Sequence, residues 1–367
     1  MNNVAIATGL ISFAVGVGIG LWGGGGAAVP APAPMAGAPA AEQTAAPVRW
    51  KVASTFPSTL TLVGEGGIRF QSRLAEISGG EIALKFFEPG ALVPAFEVFD
   101  AVSAGSVDAG WAASGYWAGK MPAAQVFNSV PFGPMFNELM AWMRYGEGQT
   151  LYEELYHPHN VHPLVCFFVP QDGYGWFRTE IASTEDFAGL KVRYLGFGAR
   201  VLEKFGASTQ IIAGGDIYTA LELGTIDATE FSMPAIDYDL GFYQIAKHYY
   251  LTGWHQPANM GEFIVNLDHW NALLPRQRTL IETACSESVV DSLASGEAAQ
   301  TEALKKIAAE GVTIHRWPPE MMQAFEEQWI VVAEEQAAAD EGFAKVWRSL
   351  QNFRANYSDW AELGAMD

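Results

Sequence analysis

The stretch GLKVRYLGFGARVLEKFGASTQIIAGGDIYTALELGTIDATEF, residues 189–231, alternates two kinds of apolar pattern. Short apolar runs at its two ends are typical of buried strands, whereas the segments between them carry apolar residues at helical spacing. Asp216 is a favourable first residue for one of these helices, and Gly224 follows that helix where a C-terminal cap is expected. Strands that alternate with helices indicate an α/β fold. The predicted elements are a strand at 190–194, a helix at 198–205, a helix at 217–223 and a strand at 226–230.

A second series of strands and helices precedes this stretch. Residues 48–53 and 82–87 are extended apolar runs, and the helix between them is predicted to end at Gly79. A further helix and strand follow at 96–104 and 107–112. A chain of 367 residues is long enough for two cores, so we predict two α/β lobes. After them the chain becomes helical and acidic.

The first 47 residues are predicted to lie outside the folded part. Residues 4–22 form an almost unbroken apolar run without a charge, long enough to cover most of a bilayer. The three residues before this run contain no Lys or Arg, so a cleaved signal peptide and an uncleaved anchor both stay open. Residues 23–47 are rich in Gly, Ala and Pro and form a linker. Either alternative places the rest of the chain outside the cytoplasm.

The composition excludes several classes of protein. The chain has 41 Asp and Glu against 21 Lys and Arg, a formal net charge of -20. Such a charge repels phosphate backbones and anionic lipid, so nucleic acid is not an expected partner.

The two cysteines, Cys166 and Cys285, have no metal-ligand spacing, and two buried thiols are favoured over a disulfide.

Catalytic and cofactor motifs are absent from the sequence. It contains no serine-hydrolase elbow, zinc-protease, P-loop or EF-hand pattern, so no organic cofactor is expected. The histidines of residues 157–162 could supply zinc ligands, but Pro158 and Pro163 preclude a helix there, which favours a surface loop. An extracytoplasmic two-lobe protein without a catalytic motif suggests a clamshell that closes over a ligand.

Parts of residues 189–231 are specific enough to identify a family. The strand at 189–193, GLKVR, and the segment at 214–230, GGDIYTALELGTIDATE, strongly resemble the DctP-type solute-binding subunits of TRAP (tripartite ATP-independent periplasmic) transporters. The resemblance implies a periplasmic-binding-protein clamshell, α/β with hinge strands and long C-terminal helices. It also implies that the protein captures a small organic acid and delivers it to membrane permease subunits, without covalent chemistry. The expected divisions are a signal, anchor and linker at 1–47, lobe I at 48–168 plus 260–305, lobe II at 169–259 plus 306–341, and a C-terminal helix at 342–367.

The resemblance gives Arg193 a role in binding. In the family, the arginine at this strand end pairs with the carboxylate of the substrate. A guanidinium can form a bidentate, charge-assisted pair with a planar carboxylate, and lysine cannot reproduce that geometry. A purely structural ion pair is the alternative for this residue.

Four further segments are similar to the subgroup that binds 2-oxo acids such as pyruvate through a bound cation. By that resemblance, Gln171 and Glu230 ligate the cation through side-chain oxygens, and the carbonyl of Phe231 and the side chain of Gln256 add two more oxygens. Oxygen ligands suit Na⁺ or Ca²⁺. The similar segments are 115–120, 170–178, 228–231 and 253–256. The residues expected to bind the substrate are Arg193, Gln171, Glu230, Phe231, Tyr116, Trp117 and Trp254.

Two positions depart from the subgroup's pattern. Phe231 stands where Trp is expected, and Gln256 stands where an acidic residue is expected. Glu230 is then the one anionic side chain expected among the ligands. This either favours Na⁺ over Ca²⁺ or leaves the site without a metal.

A 2-oxo acid is the favoured substrate, ahead of a 2-hydroxy acid. The alternative functions are an anchored sensor with the same clamshell and an anchored enzyme that acts on a carboxylate through Gln171, Arg193 and Glu230.

The last two predicted helices carry many large apolar side chains. From Pro319 onward these include Phe325, Trp329, Phe343 and Trp347, more surface than one subunit obviously buries. The resemblance to the oxo-acid subgroup implies a homodimer that exchanges C-terminal helices. The alternative is that both helices brace their own two lobes from behind.

Overall fold

A computed structural model describes residues 46–364 of the chain. The predicted signal or anchor and nearly all of the linker therefore lie outside the described residues. Residues 46–364 belong to one compact unit. Within them, no helix is both long and apolar enough to cross a membrane.

The strands of the described part are mostly short. They are β1 (Val48–Ser54), β2 (Ile82–Phe87), β3 (Ala109–Ala113), β4 (Val161–Val169), β5 (Gly175–Phe177), β6 (Lys191–Arg193), β7 (Ser208–Gln210), β8 (Ala228–Thr229), β9 (His248–Leu251), β10 (Asn259–Asn266) and β11 (Thr313–Arg316).

The helices become longer toward the C-terminus. They are α1 (Val63–Ile77), α2 (Val98–Ser103), α3 (Ala124–Asn128), α4 (Phe136–Tyr145), α5 (Gly148–Tyr156), α6 (Phe197–Lys204), α7 (Gly214–Glu222), α8 (Pro234–Asp239), α9 (Leu267–Ala272), α10 (Pro275–Ala309), α11 (Pro319–Ala339) and α12 (Glu341–Gly364).

The strands form two mixed sheets, which confirms the predicted α/β class. The first sheet has the order β2-β1-β3-β10-β4. In it β1 pairs in parallel with β2 and β3, and β10 runs antiparallel to β3 and β4. All residues of β10 are buried, as expected for a strand with neighbours on both sides and both faces covered.

The second sheet positions the candidate site. Its order is β11-β9-β5-β8-β6-β7, and β6 is parallel to both β7 and β8. The carboxyl ends of β6 and β8 therefore lie at the same edge, where open α/β sheets usually bind their ligands. The first sheet uses residues 48–169 and 259–266, and the second uses 175–251 and 313–316. This division parallels the two expected lobes, whose boundaries remain predictions.

The two cysteines correct an expectation from the sequence. Cys166 on β4 and Cys285 on α10 form a disulfide instead of two separate thiols, with Cα atoms 4.1 Å apart. Both residues are buried, as expected. The reason lies in tertiary packing, because α10 lies along β4 and brings together two positions that are 119 residues apart in sequence. Such crosslinks persist in compartments outside the cytoplasm.

The C-terminal helices pack largely against their own subunit. Phe343 and Leu350 on α12 are buried, and the ring of Phe343 lies 5.3 Å from that of Phe197. Near the end of the same helix, Trp360 and Leu363 are 66% and 88% exposed. The bracing alternative therefore describes the first half of α12, whereas the second half leaves large apolar side chains uncovered within the described residues.

Candidate ligand and cation site

Arg193 and Glu230 meet at the shared edge of β6 and β8. Arg193 ends β6, Glu230 follows β8, and the parallel pairing of these strands places the two residues side by side. Nη1 of Arg193 lies 2.8 Å from Oε2 of Glu230, and both side chains are almost completely buried. Arg193 Nε donates to the carbonyl of Ile212 at 3.1 Å, and the ring of Phe231 lies 5.2 Å from Cζ. These contacts hold the guanidinium in one orientation, as recognition of a carboxylate requires.

A cluster of three ionisable side chains lies next to this ion pair. Asp172, Glu230 and His255 each offer one ligand atom, and these atoms lie within 4.8 Å of one another. Nε2 of His255 is 3.7 Å from Oε1 of Glu230. Asp172 Oδ2, Glu230 Oε1 and both ring nitrogens of His255 are buried and have no hydrogen-bond partner among residues 46–364. Buried polar atoms are usually paired, so free atoms that converge in this way fit a cation position.

The charges at this cluster influence one another. Burial raises the pKa of the Asp172 carboxyl well above its ordinary value, and the nearby Glu230 and Asp237 raise it further. Burial alone would also raise the pKa of Glu230, but Arg193 and His255 hold it below its ordinary value. A cation beside Asp172 would favour the ionised carboxylate that burial disfavours.

The structure does not bring two of the expected cation ligands into this cluster. Gln171 is exposed, and its neighbour Asp172 is buried in its place. Gln256 is buried, but its Oε1 accepts a hydrogen bond from Asn259 Nδ2 at 2.7 Å. The backbone carbonyl of Gln256 accepts a hydrogen bond from the N–H of Asp172 at 3.3 Å. Gln256 therefore supports the cluster through its backbone.

Tyr116 and Trp117 are neighbours in sequence but face different surroundings. Burial raises the pKa of Tyr116 to about 12, with Arg193 near enough to lower it and Glu230 near enough to raise it. Tyr116 therefore lies beside the ion pair. Trp117 instead donates its indole N–H to Glu262 Oε1 at 2.6 Å, inside the core around the first sheet. The indole hydrogen bond of Trp117 anchors the turn that carries Tyr116.

Trp254 lies in the connection between β9 and β10. Its ring stacks on Phe132 at 5.2 Å and on Phe325 at 4.8 Å. Its carbonyl accepts a hydrogen bond from the N–H of Phe132 at 2.7 Å. Thr252, two residues earlier, has a φ of 73°, which β-branched residues rarely adopt. These contacts fix the course of the chain that presents His255.

Asp172 and His255 are missing from the residues expected from the sequence. Both lie inside segments that resemble the family, 170–178 and 253–256, but each is one position away from a glutamine that was expected to bind. Gln171 lies in a bend and His255 in a turn, and in such irregular chain the local conformation decides which of two neighbouring side chains enters the site. For His255 the usable signal is the residue type, because imidazole is a common metal ligand.

Comparison with known proteins supports the resemblance. The model of the DctP family, described as bacterial extracellular solute-binding protein, family 7, matches residues 53–340. A monocarboxylate 2-oxoacid-binding periplasmic protein of Nostoc sp. is 34% identical over 314 residues, which cover 85% of this chain and 86% of that protein.

Two solved structures are similar to this chain over most of its length. A TRAP transporter solute-binding protein from Bordetella bronchiseptica is a mixed-occupancy dimer with copurified calcium and picolinate, and superposes with a TM-score of 0.84 at 33% identity, covering 86% of this chain and 94% of its own. A TRAP periplasmic solute-binding protein from Pseudoalteromonas atlantica with bound sodium and pyruvate gives 0.83 at 31% identity, covering 88% and 100%.

These likenesses confirm the two-lobe clamshell with long C-terminal helices. In both solved neighbours a sodium or calcium ion accompanies a small carboxylate. Because the family model spans most of the residues and the relatives agree with it, this chain belongs to the DctP family of bacterial extracellular solute-binding proteins, the solute-binding subunits of TRAP transporters.

Proposed function

We propose that this protein captures a small monocarboxylate, in the first place a 2-oxo acid, together with a cation, and delivers it to TRAP permease subunits. One observation carries the proposal: the buried guanidinium of Arg193 lies beside the free buried atoms of Asp172, Glu230 and His255. A 2-oxo acid offers a carboxylate for the guanidinium and an adjacent carbonyl oxygen for a cation. The 2-oxoacid-binding relative from Nostoc and the pyruvate-bound neighbour from Pseudoalteromonas atlantica support the same ligand class.

Binding requires the two lobes to separate and close. Asp172, Arg193, Glu230 and His255 are at most 2% exposed, so a ligand cannot reach them from outside in this conformation. Closure removes water from around the charges and so strengthens each electrostatic contact. When bound, the cation supplies positive charge for the oxygens of the ligand. The proposed activity is reversible binding and release, without covalent chemistry.

Mass spectrometry of the ligand released from purified protein tests the substrate class directly. We expect a 2-oxo monocarboxylate such as pyruvate, with lactate as the 2-hydroxy alternative. Calorimetry with pyruvate, lactate and succinate then ranks the ligands, and a dicarboxylate that binds more tightly than both monocarboxylates would refute the proposal. Large and small permease subunits encoded beside this gene would support transport over a sensor role.

We also propose a homodimer formed through the end of α12. Trp360 and Leu363 are exposed on the last turns of α12, and another face of the same helix lines a cavity of about 540 Å³ together with Trp329 and Ile330 of α11. Large exposed apolar side chains are typical of interaction surfaces. The dimer of the Bordetella bronchiseptica neighbour supports a second copy of this chain as the occupant.

We place the protein in the periplasm. Residues 4–22, which lie outside the described residues, would act there as a cleaved export signal or as an anchor. The mass of the mature protein from membrane and periplasmic fractions distinguishes these two outcomes.

A further inference from the structure

The loop at residues 129–133, between α3 and α4, contacts the segment that carries His255. Ser129 Oγ donates a hydrogen bond to the carbonyl of His255 at 3.1 Å. The N–H of Phe132 donates to the carbonyl of Trp254 at 2.7 Å, and the rings of these two residues stack with centroids 5.2 Å apart. The 129–133 loop therefore holds the backbone of two consecutive residues at the edge of the ligand site.

These contacts join the two expected lobes. The 129–133 loop lies in expected lobe I, whereas residues 253–256 lie in expected lobe II. The side chain of His255 faces lobe II, because its Nε2 lies 3.7 Å from Oε1 of Glu230, which follows β8 of the second sheet. If the segment moves with lobe II, opening of the clamshell breaks both hydrogen bonds from the loop. Contacts that exist only in the closed conformation stabilise that conformation.

Phe132 needs support to hold its backbone in this position. Its φ of 51° lies in the left-handed region, which bulky residues rarely adopt. Such a conformation persists where surrounding contacts outweigh its cost. The N–H of Phe132 is bonded to Trp254, and its carbonyl accepts a hydrogen bond from Nη1 of Arg354 at 3.1 Å. Two contacts on opposite sides of one residue thus fix the loop.

Arg354 reaches Phe132 from the last helix, α12. Its Nε donates to Oε1 of Glu138 on α4 at 3.2 Å, so one guanidinium binds a carboxylate and a carbonyl at once. The rigid fork of arginine permits this, and the ammonium of a lysine does not reproduce the geometry. Both side chains of the ion pair are partly buried, which limits its screening by water.

We infer that Arg354 is a positioning residue for ligand binding: it holds the 129–133 loop in the conformation that closes on Trp254 and His255, and so slows release of the ligand. The inference rests on the proposed function, because the ligand is enclosed beside His255. The hydrogen bonds of Arg354 go to Glu138 and to Phe132. It therefore acts through the loop and not through contact with the ligand.

Rates of ligand release from the full-length exported protein test the inference. The protein is loaded with radiolabelled pyruvate and mixed with excess unlabelled pyruvate, and rapid filtration follows the loss of label. The key variant is Arg354→Gln. Lys345→Gln is the matched control, because Lys345 also lies on α12 and pairs with a carboxylate outside the 129–133 loop, that of Glu154 on α5.

We expect Arg354→Gln to release pyruvate about tenfold faster than wild type, with an association rate within about threefold, because contacts broken on opening act mainly on release. Lys345→Gln should stay within about twofold of the wild-type release rate, since exposed ion pairs contribute little. Release from Arg354→Gln within about twofold of wild type, or equal acceleration in both variants, would overturn the inference.

A second variant covers the case in which Arg354→Gln does not fold. Arg354→Lys keeps a positive charge beside Glu138 but lacks the fork that binds the carbonyl of Phe132 as well. It should also release pyruvate faster than wild type. Release as slow as that of wild type would then overturn the inference.

Hydrogen exchange separates this inference from the proposed function. The amide of Phe132 is bonded to Trp254, so its exchange, followed by mass spectrometry without added ligand, reports how the loop is held. Faster exchange in Arg354→Gln than in Lys345→Gln supports the inference, and equal exchange in the two variants overturns it. A wild-type protein that binds no monocarboxylate would refute the proposed function, and exchange at Phe132 would still decide the role of Arg354.

Discussion

Arg193 is the residue on which recognition of the ligand's charge depends. Its guanidinium is buried between Glu230 and the ring of Phe231. Replacing Arg193 with Ala would leave a ligand carboxylate unpaired in a site closed to water, which should weaken pyruvate binding by about 3–5 kcal/mol. Calorimetry measures the loss, with the exposed Arg200→Ala on α6 as the control. A loss below about tenfold, or 1.4 kcal/mol, would place the carboxylate elsewhere.

Asp172 and Gln171 form a matched pair of neighbours, one buried and one exposed. Asp172→Asn keeps the size of the side chain but removes a charge from the cation position. We expect it to weaken cation and pyruvate binding together by about tenfold or more, because coupling between two ligands is reciprocal. Gln171→Asn should leave both affinities within about twofold, since exposed substitutions seldom matter. Pyruvate binding that stays unchanged in Asp172→Asn would remove Asp172 from the site.

The position of Arg193 and Glu230 could be predicted from the sequence, whereas that of Asp172 and His255 could not. Arg193 and Glu230 lie at the ends of neighbouring parallel strands, so the strand order alone brings them together. Asp172 and His255 lie in irregular segments whose side-chain directions follow from tertiary contacts, such as the hydrogen bond from Ser129 to the carbonyl of His255. No local periodicity encodes such contacts, and Gln171 and Gln256 were expected from the family resemblance alone.

Among the elements, β10 contains an ionisable residue at its buried centre. Glu262 accepts hydrogen bonds from Trp117 Nε1 at 2.6 Å, from the hydroxyl of Tyr156 at 2.8 Å and from that of Tyr152. Burial raises the pKa of the Glu262 carboxyl by more than these donors lower it. The carboxyl therefore binds its proton more tightly in the folded chain than in the unfolded chain.

This raised pKa predicts a pH dependence of stability. The contribution of Glu262 is fully present below the unfolded pKa of about 4.3 and is lost as the pH rises through the folded pKa. Glu262→Gln is neutral at every pH and lacks this loss. In urea denaturation we expect the free energy of unfolding of wild type to fall relative to that of Glu262→Gln as the pH rises from about 4 to 7. The exposed Glu334→Gln serves as control, and a difference that stays constant with pH would contradict the prediction.

Elements within an apolar pattern were predictable from the sequence, and those without such a pattern were not. The strand expected at 190–194 is β6, and the helix expected at 217–223 is α7, which begins three residues earlier at Gly214. The strand β7, Ser208–Gln210, has no apolar pattern and owes its conformation to its parallel pairing with β6. The disulfide was missed for a related reason, because the packing of α10 along β4 is not visible in the spacing of the cysteines.

At the scale of the whole molecule, the end of α12 is the feature that predicts assembly. We expect residues 48–367 to be dimeric in light scattering and a chain that ends at Arg354 to be monomeric, because the shorter chain loses the exposed Trp360 and Leu363. This truncation keeps the buried Phe343 and Leu350, which a cut at Glu341 would remove together with part of the core. A monomeric full-length protein at micromolar concentration, or an unchanged dimer after truncation, would refute the proposed interface.

The stacking of Trp254 between Phe132 and Phe325 has an optical consequence. Phe132 lies in the expected lobe I and Phe325 in the expected lobe II, so the indole touches both halves of the clamshell. Opening must remove at least one ring from the indole and change the asymmetric environment of its electronic transitions. Near-ultraviolet circular dichroism, compared between wild type and Trp254→Phe, therefore follows opening and closing without any attached label.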